Sequence, residues 1–138
     1  MNDLIDLLVS HEGLTHKPYR CTSGKLTIGV GRNLDDMGLS DSEIYFMLKN
    51  DISRVDEELT NAFRFYKNLD QVRKDALINL GFNLGIPKLR DFKLAMQALE
   101  LKDYSEASME FLDSLWATQV GGRALDIAHM IKYGEYPK

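Results

Sequence analysis

The sequence predicts an α+β fold that is dominated by helix. Apolar residues recur at spacings of three and four over most of the chain, which is typical of amphipathic helices. Residues 17–32 differ, because their apolar positions alternate as in a strand and Ser23-Gly24 supplies a turn. One β-hairpin among about five or six helices indicates a mostly helical domain with a small sheet.

The N-terminal part is predicted to begin with a helix over residues 3–12, which Gly13 would end. The hairpin follows this helix. Gly29 and Gly31 within the hairpin would allow other groups to approach the backbone closely. Residues 33–39 are expected to form a loop.

Capping signals predict where the remaining helices begin and end. Ser40 with Glu43 is a capping-box pattern, and it would begin a helix over roughly residues 41–60. Asp103 is a second cap, and the helix after it is expected to continue to Trp116. Asp70 would begin a further helix that Gly85 ends, and Pro87 lies just before the next helix. Gly121-Gly122 precedes a last helix, which Gly134 would stop.

These elements predict a single domain over residues 1–138. A hairpin lobe would cover about residues 13–39, and the helix over residues 41–60 would link it to a helical lobe over residues 61–138. We expect the N-terminal helix over residues 3–12 to belong with the helical lobe.

Composition excludes several classes of protein. The net charge of -4 argues against salt-dependent binding of nucleic acid. The single cysteine, Cys21, excludes an internal disulfide framework and a cysteine-based zinc site, and no metal or cofactor is expected. Asp6 interrupts an apolar run that is too short for an export signal or a membrane span. We therefore expect synthesis in the cytoplasm, without insertion into a membrane.

Glu12 is the strongest candidate for an acid catalyst. At the end of the first helix, the helix dipole disfavours a carboxylate and so favours the protonated acid. Cys21 and Thr27 lie on or beside the hairpin, and Arg20 and Lys17 would favour a thiolate at Cys21. Taken alone, each residue has another explanation: a solvated glutamate, an inert buried cysteine, and a threonine chosen for its β propensity.

The three residues together form a specific pattern. It is the catalytic pattern of the phage-type lysozymes, the endolysins of glycoside hydrolase family 24. In that pattern a glutamate is followed after eight residues by an aspartate or cysteine, and after five more residues by a threonine. Here the pattern is Glu12, Cys21 and Thr27, and the surrounding segment HEGLTHKPYRCTSGKLTIGVGRNL resembles that family almost throughout.

Similarity to the family extends over nearly the whole chain. It includes the segment LDQVRKDALINLGFNLG at residues 69–85, then Phe92, Trp116 and Arg123-Ala124. The T-even phage members carry an extra helical segment where this chain has only residues 35–39. The chain therefore resembles a shortened member.

The resemblance implies a lysozyme-like fold whose two lobes flank a cleft. It implies hydrolysis of the β-1,4 bond between N-acetylmuramic acid and N-acetylglucosamine in peptidoglycan, with Glu12 as proton donor and with Cys21 and Thr27 positioning or activating water. Arg123 would pair with Glu12. Four further residues fall where the family lines its cleft: Asn79, Phe82, Asn83 and Gln119. Trp116 is expected to pack in the core instead.

Cys21 occupies a place where many members of the family have aspartate, so the second half of the reaction stays open. The sulfur could act as a base or orient water on the far face of the sugar. It could also attack the sugar carbon directly and give retention. A lytic transglycosylase is a further alternative, since the sugar's own hydroxyl would then attack.

The resemblance also predicts partners. A phage enzyme of this kind reaches peptidoglycan through a holin-type pore, and we expect a monomer. Matching positions in the T-even phage members predict an ion pair between Arg32 and Asp51. Two other classes are open: a non-catalytic wall-binding or tail-structural module on the same fold, and a helical nucleic-acid-binding regulator, which the acidic balance disfavours.

Overall fold

A computed structural model of the chain describes residues 2–138, with the backbone alone at position 115. These residues form two compact units, one that ends at Leu48 and one over Lys49–Lys138. Helices predominate and one small antiparallel sheet accompanies them, so the predicted α+β class is confirmed. No helix within residues 2–138 is long and apolar enough to cross a membrane.

The N-terminal unit begins with helix α1 (Asp3–Glu12). The side chain of Asn2 caps the helix by accepting hydrogen bonds from the backbone of its first turn. Gly13 follows the helix with a φ of 79°, which residues with a side chain rarely adopt. The helix therefore has the predicted bounds, and Glu12 is its last residue.

The predicted hairpin is part of a three-stranded antiparallel sheet. Strand β1 is Thr15–Arg20, β2 is Leu26–Gly29 and β3 is Arg32–Asn33, and they are ordered β1-β2-β3. Tyr19 of β1 pairs with Thr27 of β2. Thr27 is the only buried residue among those described up to Leu48, because it lies on the central strand.

The predicted loop over residues 33–39 is wrong in part, because it contains helix α2 (Leu34–Met37). Asn33 begins this helix, since its side-chain oxygen accepts a hydrogen bond from the N–H of Asp36 at 3.1 Å. A helix of four residues is too short to produce a recognisable apolar period, so periodicity does not reveal it.

Helix α3 (Asp41–Ala62) is two residues longer than predicted, and the boundary between the two units falls within it. Its capping box is confirmed. The Ser40 N–H donates to Oε1 of Glu43 at 2.9 Å, and the Glu43 N–H donates to Oγ of Ser40 at 3.3 Å.

The C-terminal unit is built from short helices around an apolar core. A 3-10 turn at Tyr66–Asn68 precedes α4 (Gln71–Leu84), α5 (Ile86–Arg90), α6 (Lys93–Glu100), α7 (Tyr104–Leu112), α8 (Leu115–Val120) and α9 (Gly122–Tyr133). The largest fully buried side chains here are Tyr66, Phe111, Leu59, Leu77, Leu80, Leu89, Leu99, Ile127 and Ile131. The predicted caps at Asp70 and Asp103 are confirmed.

The predicted continuous helix from Asp103 to Trp116 is wrong. Helix α7 ends at Leu112, and Ser114 begins α8 by accepting a hydrogen bond from the N–H of Ala117 at 3.3 Å. A serine hydroxyl favours a helix start over a helix interior, because it competes for backbone hydrogen bonds.

Candidate active site

Glu12 ends α1 with an exposed side chain, and its carboxyl group lies against the backbone of Gly31. A Cβ atom at Gly31 would stand 2.8 Å from Oε2 of Glu12 and 3.2 Å from its Cδ. The close approach predicted for this glycine is therefore confirmed. The same prediction is wrong for Gly29, where an added Cβ would meet nothing within 4 Å.

Cys21 and Thr27 are joined through one backbone carbonyl. The Cys21 N–H donates to the oxygen of Lys25 at 2.9 Å, and the Thr27 hydroxyl donates to the same oxygen at 2.9 Å. The oxygen of this hydroxyl also has lone pairs that can accept a hydrogen bond from water. The structure thus brings two of the predicted site residues together.

The Cys21 thiol is half-buried beside Ser23, whose Oγ lies 3.1 Å from Sγ. Hydrogen bonding lowers the pKa of Cys21 to about 7, first through the Ser23 hydroxyl and then through the backbone at Lys25 and Ser23. A smaller contribution comes from the hydroxyl of Thr27, and desolvation opposes these effects. A thiol with this pKa is partly a thiolate at neutral pH.

The direction predicted for the Cys21 thiol is confirmed, but the predicted cause is wrong. Arg20 donates to the Gly24 carbonyl at 3.1 Å and lies 3.7 Å from the Asp35 carboxylate. The other cation of the loop, Lys25, pairs with Asp36 at 3.2 Å. Hydrogen bonds, rather than Arg20 and Lys17, lower the pKa of the thiol.

Arg32 of β3 binds Glu43 through two parallel contacts, Nη2 to Oε2 at 2.6 Å and Nη1 to Oε1 at 2.8 Å. The hydrogen bond from Arg32, together with those from Ser40, lowers the pKa of Glu43 to about 2. The predicted pair of Arg32 with Asp51 is wrong, since Asp51 instead binds Arg54 at 2.8 Å. Glu43 lies three residues after the cap of α3, which brings its carboxylate to the guanidinium.

In the C-terminal unit, α4 presents two of the predicted cleft residues one turn apart. The side-chain oxygen of Asn79 accepts a hydrogen bond from Nε of Arg123 at 2.8 Å, and the Asn79 carbonyl accepts from Nη2 at 3.3 Å. The Asn83 side chain accepts a hydrogen bond from the indole N–H of Trp116 at 2.5 Å. Both amides are therefore held in one orientation.

The two other predicted cleft residues, Phe82 on α4 and Gln119 on α8, are exposed. Phe82 retains 41% of its surface, so core packing does not explain an aromatic residue there. Trp116 has only 5% of its surface exposed and makes edge contacts with Phe92 and Phe111. Its predicted place in the core is confirmed.

Comparison with known proteins identifies the family. A model of the family described as phage lysozyme matches residues 9–129, which include all eight predicted site residues. The chain belongs to the phage lysozyme family. A phage-type lysozyme is a glycoside hydrolase that acts on the bacterial cell wall, and the α+β fold of this chain is that of the family.

Relatives of this phage-type lysozyme occur in phages and in a eukaryote. A probable T4-type lysozyme of Dictyostelium discoideum is 26% identical, over 97% of this chain and 96% of the relative. An endolysin of Acyrthosiphon pisum secondary endosymbiont phage 1 is 30% identical, over 91% of this chain and 86% of the relative. The pre-baseplate central spike protein Gp5 of Enterobacteria phage T4 is 25% identical, over 95% of this chain but 28% of the spike protein.

Sequence reasoning missed two groups that contact the candidate site residues Cys21 and Thr27. Ser23 was interpreted only as a turn residue, although its hydroxyl contacts the Cys21 sulfur. The Lys25 carbonyl has no signal in the sequence, because a backbone oxygen is present at every residue. The spacing of two residues from Cys21 within a tight hairpin loop could have suggested Ser23.

Proposed function

We propose that this phage-type lysozyme is an endolysin muramidase that hydrolyses the β-1,4 bond between N-acetylmuramic acid and N-acetylglucosamine in peptidoglycan. The observation that carries the proposal is the spacing of Glu12, Cys21 and Thr27 within the matched family region. The contact of Glu12 with Gly31 and the shared Lys25 carbonyl support it, because they give these side chains defined places.

In the proposed reaction, Glu12 donates a proton to the glycosidic oxygen. Cys21, as a thiolate, accepts the proton of the attacking water or orients it, and the Thr27 oxygen accepts a hydrogen bond from the same water. The attack then comes from the face opposite to the leaving group, which gives inversion. Covalent attack by the sulfur is disfavoured, because a thioglycoside resists hydrolysis.

A supporting role is proposed for residues of the C-terminal unit. Arg123 would pair with the catalytic glutamate, while Asn79, Asn83, Phe82 and Gln119 would contact the glycan. The hydrogen bonds from Arg123 to Asn79 and from Trp116 to Asn83 support this role, because they fix the amides before the sugar binds.

The experiment that tests the proposal compares the wild type with Glu12→Gln on purified peptidoglycan. Glu12→Gln keeps the size and hydrogen-bonding shape of the side chain but removes the acid. We expect an unchanged circular dichroism spectrum and a loss of lytic rate of about 100- to 10,000-fold, since general acids contribute on this order. Lysis near the wild-type rate by a folded variant would overturn the proposal.

Products of the same digestion separate the two candidate reactions. Hydrolysis leaves reducing ends on the glycan, whereas a lytic transglycosylase leaves 1,6-anhydromuramyl ends. Mass spectrometry of the soluble fragments distinguishes them, and we expect reducing ends.

A structural or wall-binding module is the alternative from another class. This alternative is motivated by the similarity to the phage T4 central spike protein, whose name describes a part of the baseplate. A module of this kind would bind peptidoglycan without releasing fragments, and the digestion above excludes it if fragments appear.

A further inference from the structure

Ser23 lies in the loop between β1 and β2, two residues after Cys21, with its hydroxyl 3.1 Å from the sulfur. Backbone hydrogen bonds set the shape of this loop. The Gly24 N–H donates to the Cys21 carbonyl at 2.8 Å, and the Cys21 N–H donates to the Lys25 carbonyl at 2.9 Å. Gly24 adopts a φ of 81°, which allows the chain to turn there. The loop therefore places the Ser23 side chain on the Cys21 sulfur.

The cations around the loop form ion pairs with carboxylates of α2. Arg20 lies 3.7 Å from Asp35, and Lys25 lies 3.2 Å from Asp36. The Asp35 carboxylate also accepts a hydrogen bond from the N–H of Leu26 at 2.8 Å. These pairs compensate the cations, and the groups that lower the pKa of Cys21 are hydrogen-bonding neighbours.

We propose that Ser23 is a positioning residue for Cys21, whose hydroxyl holds the sulfur and donates a hydrogen bond to it when the sulfur is a thiolate. The inference rests on the proposed role of Cys21 in activating water. A thiolate that accepts one bond from Ser23 has further lone pairs, which it directs to the attacking water. The serine thus selects the rotamer and the charge state of the sulfur without contacting the substrate.

The first experiment measures the thiol itself and does not depend on lysis. Cys21 is the only cysteine of the chain, so alkylation by iodoacetamide reports on this residue alone. In the wild type, the alkylation rate should rise with a midpoint near the pKa of about 7. In Ser23→Ala the midpoint should move upward, and the rate at pH 7 should fall by about three- to tenfold, because less thiolate is present.

Two further variants control for disturbance of the loop. Ser23→Thr keeps the hydroxyl, and it should restore the alkylation midpoint to within a few tenths of a pH unit of the wild type, on the order of the effect of an added methyl. Thr22→Ala removes the neighbouring hydroxyl of the same loop, and its midpoint should equal that of the wild type. Equal upward shifts in Thr22→Ala and Ser23→Ala would contradict a specific role for Ser23.

The second experiment measures the pH dependence of lysis. The acidic limb of the profile should move upward in Ser23→Ala by the same amount as the alkylation midpoint. An unmoved midpoint would overturn the inference, and so would a moved midpoint with an unmoved limb. Either result would contradict the role of Ser23 but not the proposed muramidase activity. An active Glu12→Gln variant, in contrast, would overturn the proposed function itself.

Discussion

Gly31 has no side chain, and this leaves room for the Glu12 carboxyl group. An added Cβ would stand 2.8 Å from Oε2 of Glu12, which is closer than such atoms can approach, and the carboxyl group would have to move. Gly29, two residues earlier, has nearly the same φ, 69° against 67° at Gly31, but an added Cβ there would meet open space. An alanine at either position would strain the backbone, but only an alanine at position 31 would also displace the acid. Comparing the two substitutions therefore separates these effects.

Gly31→Ala is expected to lower the lytic rate by at least about tenfold, whereas Gly29→Ala should lower it little. Displacing a catalytic group by about 1 Å can cost on the order of 100-fold. Both variants should lose stability, by roughly 1–2 kcal/mol, because alanine is strained at positive φ. The measurement is the initial lytic rate per folded protein, with thermal unfolding as the control. Equal lytic rates in the two variants would contradict a specific effect on Glu12.

A stability measurement checks the same contact without any substrate. Gly31→Ala should destabilise the protein only slightly more than Gly29→Ala does, because the exposed Glu12 carboxyl group can move aside. In a Glu12→Ala background this difference should disappear, because the carboxyl group that the new Cβ would meet is gone. A difference that persisted would show that the added methyl acts elsewhere.

Cys21 is the residue whose substitution distinguishes its proposed roles. Cys21→Asp should keep substantial activity, since aspartate can also bear a negative charge and accept a proton. Cys21→Ala should lose most of the activity, and a thiol reagent should inactivate the wild type but spare the Asp variant. Lytic rates of the three proteins are the measurement. Full activity of Cys21→Ala would make the cysteine a bystander and favour a transglycosylase, which needs no second protein base.

Among the elements, α3 shows how a helix start can be tied to a strand. Glu43 caps the backbone of Ser40 and also receives Arg32 of β3 in a two-point ion pair. The pKa of Glu43 lies below its ordinary value, so the folded state favours its charged form. Stability from this pair is therefore present above pH 4.5, the ordinary pKa of a glutamate, and is lost as the pH falls towards about 2.

Glu43→Gln should lower the melting temperature at neutral pH, because it removes the charge while glutamine can still form a capping box. The difference from the wild type should shrink between about pH 5 and pH 2, since Glu43 of the folded wild type then becomes neutral as well. Thermal melts over that range are the measurement. Asp51→Asn is the matched control, and it should have little effect because its partner Arg54 is 62% exposed. A difference that stayed constant with pH would contradict the assigned pair.

Helix bounds were predicted well where a cap lies next to a long apolar pattern, as at Gly13, Ser40 and Asp70. They were predicted wrongly for the short helices. Helix α2 was missed, and α8 was merged with α7 although Ser114 is a good cap. A helix of four to six residues contains about one turn, too little for a period to be recognised.

For the molecule as a whole, the predicted residues are divided between the two units. Glu12, Cys21 and Thr27 belong to the unit that ends at Leu48, and the five supporting residues belong to Lys49–Lys138. The grouping of helix α1 with the helical lobe stays a prediction, as does the pair of Arg123 with Glu12. Disulfide-linked double-cysteine variants and substrate kinetics of Arg123→Ala would test these two.

Release from the cell is a property of the whole molecule, and we propose that it needs a holin-type pore. The family resemblance implies release of this kind, and the proposed substrate lies beyond the inner membrane. Expression alone in a Gram-negative host should be tolerated, and lysis should follow addition of chloroform or co-expression of a holin. Culture density is the measurement, with Glu12→Gln as the inactive control. Prompt lysis without either treatment would contradict the proposal.

The sequence by itself determined what depends on neighbours along the chain. Caps, the hairpin turn and the spacing of Glu12, Cys21 and Thr27 are local patterns, so they can be recognised from the order of the residues, and with them the family. Only the tertiary structure decided that Gly31 rather than Gly29 meets the acid, and that Arg32 binds Glu43 rather than Asp51. It also decided that one carbonyl joins Cys21 to Thr27. The physical reason is that these contacts depend on the directions in which side chains leave separate elements, and a pattern along the chain does not contain those directions.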